Sequence, residues 1–261
     1  MTYNYHTHTF RCHHASGTPE EYILRAITGG IKRMGFSDHI PLRFSDGFES
    51  KFRVCVDEGK AYCQEIKALA EKYRDQIEIK VGFEMEYYPA LFDEMLKNAL
   101  EYGAEYLILG QHFYAPENLG GQHTTKADEN AEHLQEYVAT VIEGMEKGVF
   151  TYIAHPDVFN FIGDAELYRR QMRKLCIAAR ERNVPLEINF LGIRQGRGYP
   201  DPVFWQIAGE EKAPVTFGFD AHEAESAFDA VSLEKAEEMV KKYNLNYIGE
   251  PELILIKEKQ K

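Results

Sequence analysis

Two pairs of side chains able to bind a metal lie at opposite ends of this chain. His6 and His8 fall in Tyr3-Asn4-Tyr5-His6-Thr7-His8-Thr9, and Asp220 and His222 in Val215-Thr216-Phe217-Gly218-Phe219-Asp220-Ala221-His222. Both runs read as strands, in which residues i and i+2 project to the same side. Each pair therefore offers two donors to one face. Imidazole and carboxylate without thiolate suit Zn, Mn, Fe or Ni and suit Mg or Ca poorly. Four more donors recur in the same relation to strand-like runs: His39, Glu84, His112 and His155 each stand at or just past the end of one. A carboxylate among imidazoles can bridge two ions, and Glu84 is placed for that. Glu86, on the same side of an extended segment, is its rival.

Donors at strand ends need a frame that gathers those ends. The pattern predicts strands over 3–9, 34–38, 77–85, 106–110, 151–154, 184–190 and 214–219. Helices are predicted over 19–26, 56–74, 89–102, 131–147, 167–182, 201–209 and 233–243, followed by two short β-like pieces, 246–248 and 253–257. Thr18-Pro19-Glu20-Glu21 is a helix start, with a hydroxyl cap, a proline in the first turn and acids behind it. Gly103 and Gly148 close two of the later helices. Strand–helix alternation implies a parallel sheet with crossover helices, and about seven such units favour a barrel over an open sheet. The C-terminal edge of barrel strands is where active sites are built. No linker or low-complexity segment divides the chain, so one domain over 1–261 is expected.

Bulk properties narrow the function classes. The formal charge of −12 argues against a general nucleic-acid binder, which needs a basic face. It leaves a phosphorylated substrate open, because clustered divalent ions make the local field positive. No run of eighteen apolar residues occurs, so no transmembrane helix is expected. The N-terminal stretch has no basic region followed by an apolar one, so no signal peptide and a cytoplasmic location are expected. The four cysteines form no CxxC pair, which argues against thiolate zinc and a disulfide framework.

Tyr5-His6-Thr7-His8-Thr9, Ser37-Asp38-His39-Ile40-Pro41-Leu42, Gly82-Phe83-Glu84-Met85-Glu86-Tyr87, Gly110-Gln111-His112, Ala154-His155-Pro156 and Gly218-Phe219-Asp220-Ala221-His222 occur in that order. The set resembles the PHP (polymerase and histidinol phosphatase) family, and within it the stand-alone histidinol-phosphate phosphatases. The resemblance implies a distorted (β/α)7 barrel with a metal site of three divalent ions (Zn, Mn or Fe) at the C-terminal face of the strands. It assigns His6, His8, Glu84 and Asp220 to a first ion. A second shares Glu84 and adds His112 and His155; a third takes His14, His39 and His222. His13, adjacent to His14, leaves that last choice open. His123 and His133 match no family motif. His133 falls in a predicted helix as a surface residue, and His123 in a loop able to cover the site.

The implied reaction is hydrolysis of a small phosphate monoester, foremost L-histidinol phosphate. A hydroxide bridging the first two ions would attack phosphorus, with Asp220 or His222 passing a proton to the leaving alkoxide. Arg194 and Arg197, in the glycine-rich stretch 191–200, are expected to meet the phosphate, Arg197 slightly favoured; guanidinium matches phosphate bidentately. Asn189 and Glu187 are expected to support the donors, and Arg11 and Arg43 are weaker phosphate candidates. Some histidinol-phosphate phosphatases carry arginines before the histidine that matches His155. Residues 149–154 hold none, which keeps a nucleotide, a sugar phosphate or phosphotyrosine as rival substrates. Loop 114–128, with Gly120-Gly121, is a candidate lid. Two other classes are a metal-binding module without turnover and an amidohydrolase-like C–N hydrolase, which typically holds two ions. The sequence does not indicate an oligomeric state.

Overall fold

The structure is a computed structural model, and it describes residues 1–48 and 50–256. Eight parallel strands pair in chain order: β1 (Tyr3–Asn4), β2 (Arg33–His39), β3 (Glu78–Met85), β4 (Tyr106–Leu109), β5 (Phe150–Ile153), β6 (Leu186–Asn189), β7 (Pro214–Gly218) and β8 (Asn246–Tyr247). Helices alternate with them: α1 (Pro19–Thr28), α2 (Gly59–Tyr73), α3 (Phe92–Tyr102), α4 (Ala131–Glu146), α5 (Ala165–Arg182), α6 (Phe190–Gln195), α7 (Pro202–Glu211) and α8 (Ala230–Lys242). Alternation predicts a barrel and the family resemblance a distorted one of seven units; the chain forms a barrel-like sheet of eight parallel strands that is left unclosed. No helix among the described residues is long and apolar enough to cross a membrane.

The sheet is not a closed ladder, since β1 and β8 are its edges. β8 pairs with the start of β7, Pro214 facing Asn246. Beyond the end of β7 the chain meets the extension of β1 instead. Thr7 and Ala221 form a parallel bridge, with His8 N donating to Ala221 O at 2.9 Å. The first seven strands thus close toward one another at the edge where the donors lie. The expected strand over 3–9 is ladder-paired only at Tyr3–Asn4, and the rest runs extended as far as this bridge. The piece at 253–257 contributes one isolated antiparallel bridge, Leu255 to Tyr106, and its last position lies outside the described residues.

Alternation along each strand decides what faces the barrel axis. In β3, Val81, Phe83 and Met85 join the large core under the helices, so Gly82, Glu84 and Glu86 face the other way. In β6, Leu186 and Ile188 face the helices and Glu187 and Asn189 face inward; in β7, Val215 and Phe217 leave Thr216 and Gly218 inward. A second, small cluster of Tyr3, Tyr5, Tyr106, Ile108, Tyr152 and Ala154 fills the space inside the strands. The polar edge of the site therefore rests on an aromatic plug.

Local chemistry sets the helix ends. Thr18 and Glu21 form a capping box at α1, and Asp164 and Asp201 accept backbone N–H groups at α5 and α7. α3 ends at Gly103, whose φ of 95° is costly for any residue with a Cβ. α3 begins three residues later than expected and α8 three residues earlier. α6 was not expected: Asn189 caps it, its Oδ1 accepting from Gly192 N at 3.1 Å, so part of the stretch read as a glycine-rich loop is helical.

Candidate metal centre

Glu84 is the hub. Its buried carboxylate has Oε2 3.5 Å from His6 Nε2, 3.5 Å from His8 Nε2 and 3.1 Å from His39 Nδ1. Its Oε1 lies 2.8 Å from His155 Nε2 and 3.3 Å from His112 Nε2. Asp220 Oδ1 completes the inner ring, 3.6 Å from His6 Nε2, 3.3 Å from His8 Nε2 and 3.2 Å from His222 Nδ1. Outside it stand His14, His39 and His222, with donor atoms within 4.8 Å of one another. His14, not His13, faces the cleft: its Nδ1 is taken by Cys12 O at 2.7 Å, while His13 turns to Cys55 Sγ. The nine residues expected to bind metal are brought together.

The orientation of the rings is built from behind. Glu187 Oε1 accepts His6 Nδ1–H at 2.8 Å, and Glu86 Oε1 accepts from His112 Nδ1 at 3.0 Å. Asp38 lies 3.4 Å from His8 Nδ1 and is itself held by Thr9 N at 3.0 Å. A carboxylate behind a ring fixes the tautomer and sends the other nitrogen's lone pair forward. The two glutamates are placed differently: Glu84 faces the rings' front atoms and Glu86 backs His112. Asn189 donates to Glu187 Oε2 at 2.9 Å and Asp220 Oδ2 at 3.0 Å, the supporting place expected for it. Glycine makes room for two of these acids. A Cβ on Gly110 would stand 1.9 Å from Glu84 Oε1, and one on Gly218 would stand 1.7 Å from Glu187 Oε1.

The donor set fits divalent cations. His6 Nε2, His8 Nε2, His39 Nδ1, Glu84 Oε2 and Asp220 Oδ1 are buried, face one another and have no hydrogen-bond partner among the described residues. Buried polar atoms are rarely left so. Burial opposes ionisation of the Glu84 and Asp220 carboxyls, but the surrounding imidazoles hold both well below the usual carboxylate range. Burial, then His222 and His8, lowers the His14 imidazole to about 4, and burial with His8 holds His39 well below its ordinary value. Neutral imidazoles beside ionised carboxylates are what a cation requires. His6, His8 and His155 run the other way in the absence of a cation: burial lowers each, but neighbouring carboxylates outweigh it, Glu187, Asp220 and Glu84 for His6, Asp220, Asp38 and Glu84 for His8, which rises to about 9, and Glu84 and Asp220 for His155.

The donors open into a cleft of about 680 Å3. Phe52 and Tyr199 form aromatic walls, and Arg197, Lys126, His123 and Asn160 stand around it. Arg197 is exposed, with Nε donating to Gln195 Oε1 at 2.9 Å and Nη1 to Tyr199 OH at 3.0 Å. Arg194 is placed differently from the expectation. Its guanidinium donates to Phe219 O and Asp220 O, both at 2.9 Å, and pairs with Asp229 at 3.3 Å. Its donors hold the loop that carries Asp220, because the α6 turn aims it at β7. Arg11 pairs with Glu65 and Arg43 with Asp57. His133 is half-buried, bonded to Asp128 at 2.7 Å and stacked on Tyr114. Sequence reasoning missed Asp38, Arg53, Phe52 and Lys126. None stands in a donor pattern, and only the fold shows what each faces.

The family model described as "PHP domain" matches residues 4–190. A Bacillus subtilis protein named histidinol-phosphatase is 28% identical over 249 residues, 84% of this chain and 92% of that protein. A Deinococcus radiodurans protein named "Probable histidinol-phosphatase" is 25% identical over 237 residues, 84% of this chain and 85% of its own. The solved histidinol phosphate phosphatase of Lactococcus lactis, complexed with Zn, L-histidinol and phosphate, superposes with a TM-score of 0.68 at 20% identity, covering 94% of this chain and 95% of that one.

Proposed function

The chain belongs to the PHP domain family, and from that premise we propose that it is a metal-dependent phosphatase that hydrolyses L-histidinol phosphate to L-histidinol and phosphate. The observation that carries this reading is the set of buried, unpartnered imidazole nitrogens and carboxylate oxygens around Glu84. His6, His8, Glu84 and Asp220 would hold one divalent ion; Glu84, His112 and His155 a second; His14, His39 and His222 a third. When bound, such ions lower the pKa of water from about 15.7 towards 7 and neutralise phosphoryl oxygens during in-line displacement.

The chain's own residues supply the rest. Glu187, Glu86 and Asp38 fix three of the rings. Arg197, exposed on the cleft wall and held there by Gln195 and Tyr199, would meet the phosphate, and Phe52 and Tyr199 would bracket the leaving group. Asp220 and His222, whose Oδ1 and Nδ1 lie 3.2 Å apart, would take up the proton that the attacking water loses and hand it on to the departing alkoxide oxygen. The relatives named for histidinol phosphatase activity align over most of both chains, which supports this substrate.

One observation favours a second reading, a more anionic or neutral leaving group such as a sugar phosphate. Among the described residues lining the cleft, Glu84 and Asp220 are the only carboxylates, and both belong to the donor ring, while Lys126 and Arg197 are cationic. The amine of histidinol phosphate would have to be met by neutral groups such as Asn160. Phosphate release from a panel of monoesters by the Zn- or Mn-loaded protein decides between them. We expect kcat/KM for L-histidinol phosphate to exceed that for nucleotides, sugar phosphates and phosphotyrosine. Preference for another ester would overturn the substrate, and no release from any ester would leave a binding module.

A further inference from the structure

Behind the metal donors runs a chain of buried ionic contacts, of which the phosphatase reading uses only the Glu86–His112 end and leaves Arg53 and Glu117 without a role. Arg53 is 1% exposed, on the segment between β2 and α2. Its Nη1 donates to Glu86 Oε2 at 2.6 Å; its Nη2 and Nε donate to Glu117 Oε2 at 2.7 and 2.9 Å. Glu86 passes the contact on, its Oε1 accepting from His112 Nδ1 at 3.0 Å, and His112 Nε2 faces Glu84 at 3.3 Å. Glu117 opens a short turn, Glu117–Leu119, in the loop between β4 and α4, and its Oε1 also accepts from Ser50 Oγ at 2.5 Å. Farther along, this loop brings His123, Thr125 and Lys126 to the cleft wall.

The charges explain why the contacts are linked. One buried guanidinium faces two carboxylates, so the cluster carries surplus negative charge. That surplus meets the His112 Nδ1–H, where it makes the front nitrogen a stronger donor. Were Glu117 to leave with its turn, Arg53 would pair with Glu86 alone and draw that carboxylate away from His112. Removing one partner of a buried ionic cluster is costly, because the remaining charge stays buried and uncompensated.

We propose that Arg53 is a positioning residue that couples docking of the Glu117 turn to ion binding at His112. The docked loop and the occupied His112 position stabilise each other, so the cleft wall is complete when the metal is in place. The coupling rests on the metal reading above.

Two variants test it, Arg53→Lys, which loses the forked contact, and Glu117→Gln, which leaves the Arg53–Glu86 pair intact. Competition titration with Zn gives the affinity of each ion, and hydrogen exchange of the amides in 114–126 is followed with and without chelator. We expect both variants to weaken one ion by about 10–100-fold, the range for a lost supporting contact, with the other ions unchanged. In the unaltered protein, removal of metal should speed exchange in 114–126; in Glu117→Gln exchange should be fast in both states. Glu117→Gln carries the test if Arg53→Lys fails to fold. Unchanged affinities in Glu117→Gln, or loop exchange indifferent to metal in the unaltered protein, would overturn the coupling while leaving the metal reading intact. A protein that binds no Zn at all would overturn both.

Discussion

A single glutamate receives five imidazoles in this molecule, and the account at the residue scale turns on it. Glu84→Ala or His8→Ala should reduce phosphate release to background and lower the metal content, checked by steady-state assay beside elemental analysis; full activity in either contradicts the scheme. Arg197 and Arg194 should separate. Arg197→Ala loses a charge-assisted contact of about 1.5–3 kcal/mol, so kcat/KM should fall about 10–100-fold with the thermal midpoint unmoved. Arg194→Ala should instead lower the midpoint, because Asp229 and two carbonyls of the Asp220 loop lose their donor. Eight of the nine candidate donors were legible because strand-end position is a property of sequence; His14 followed only from the family resemblance, and the structure turns it, and not His13, to the cleft. The carboxylates behind the rings were less legible. Asp38 sits beside His39 in the chain but supports His8, a pairing created only when β1 and β2 come side by side.

Elements convert the two-residue period into a site. β3, β6 and β7 each turn apolar residues to the helices and chemistry to the axis, and the carboxylates need glycine on the neighbouring strand. Gly218→Ala would push Glu187 off His6. We expect about 10–100-fold weaker binding of one ion, the range for a lost supporting contact, measured by Zn titration; unchanged affinity would show that Glu187 has room elsewhere. A helix cap distant from the donors is the control. Asp164→Ala at the start of α5 should cost about 0.5–2 kcal/mol of stability in denaturant titration and leave the activity of the folded protein unaltered. The parallel order of strands was readable from alternation and caps. α6 was not, since Gly192, Gly196 and Gly198 look like a loop until Asn189 is seen capping it. That one helix turn moved Arg194 from the substrate to the Asp220 loop.

Across the whole molecule, ion binding and folding are linked through the buried donors. An ion that binds only the folded chain stabilises it by about 4 kcal/mol at a free concentration of 1,000 times its Kd. Chelator should therefore lower the thermal midpoint by several degrees, and Zn or Mn should restore it; a midpoint indifferent to chelator would mean the donors fold without needing the ion. The barrel's closure at the donor edge was only half visible in the sequence: seven βα units announce a barrel, and both runs read as strands, but nothing in either names the other as the neighbour that the Thr7–Ala221 bridge makes it. The most direct test of the central claim is anomalous scattering from crystals of the Zn-loaded protein. The account predicts three peaks around Glu84, with imidazole nitrogens about 2.0–2.1 Å from zinc and His14, His39 and His222 on the outermost. A map with no peak among these side chains would contradict it.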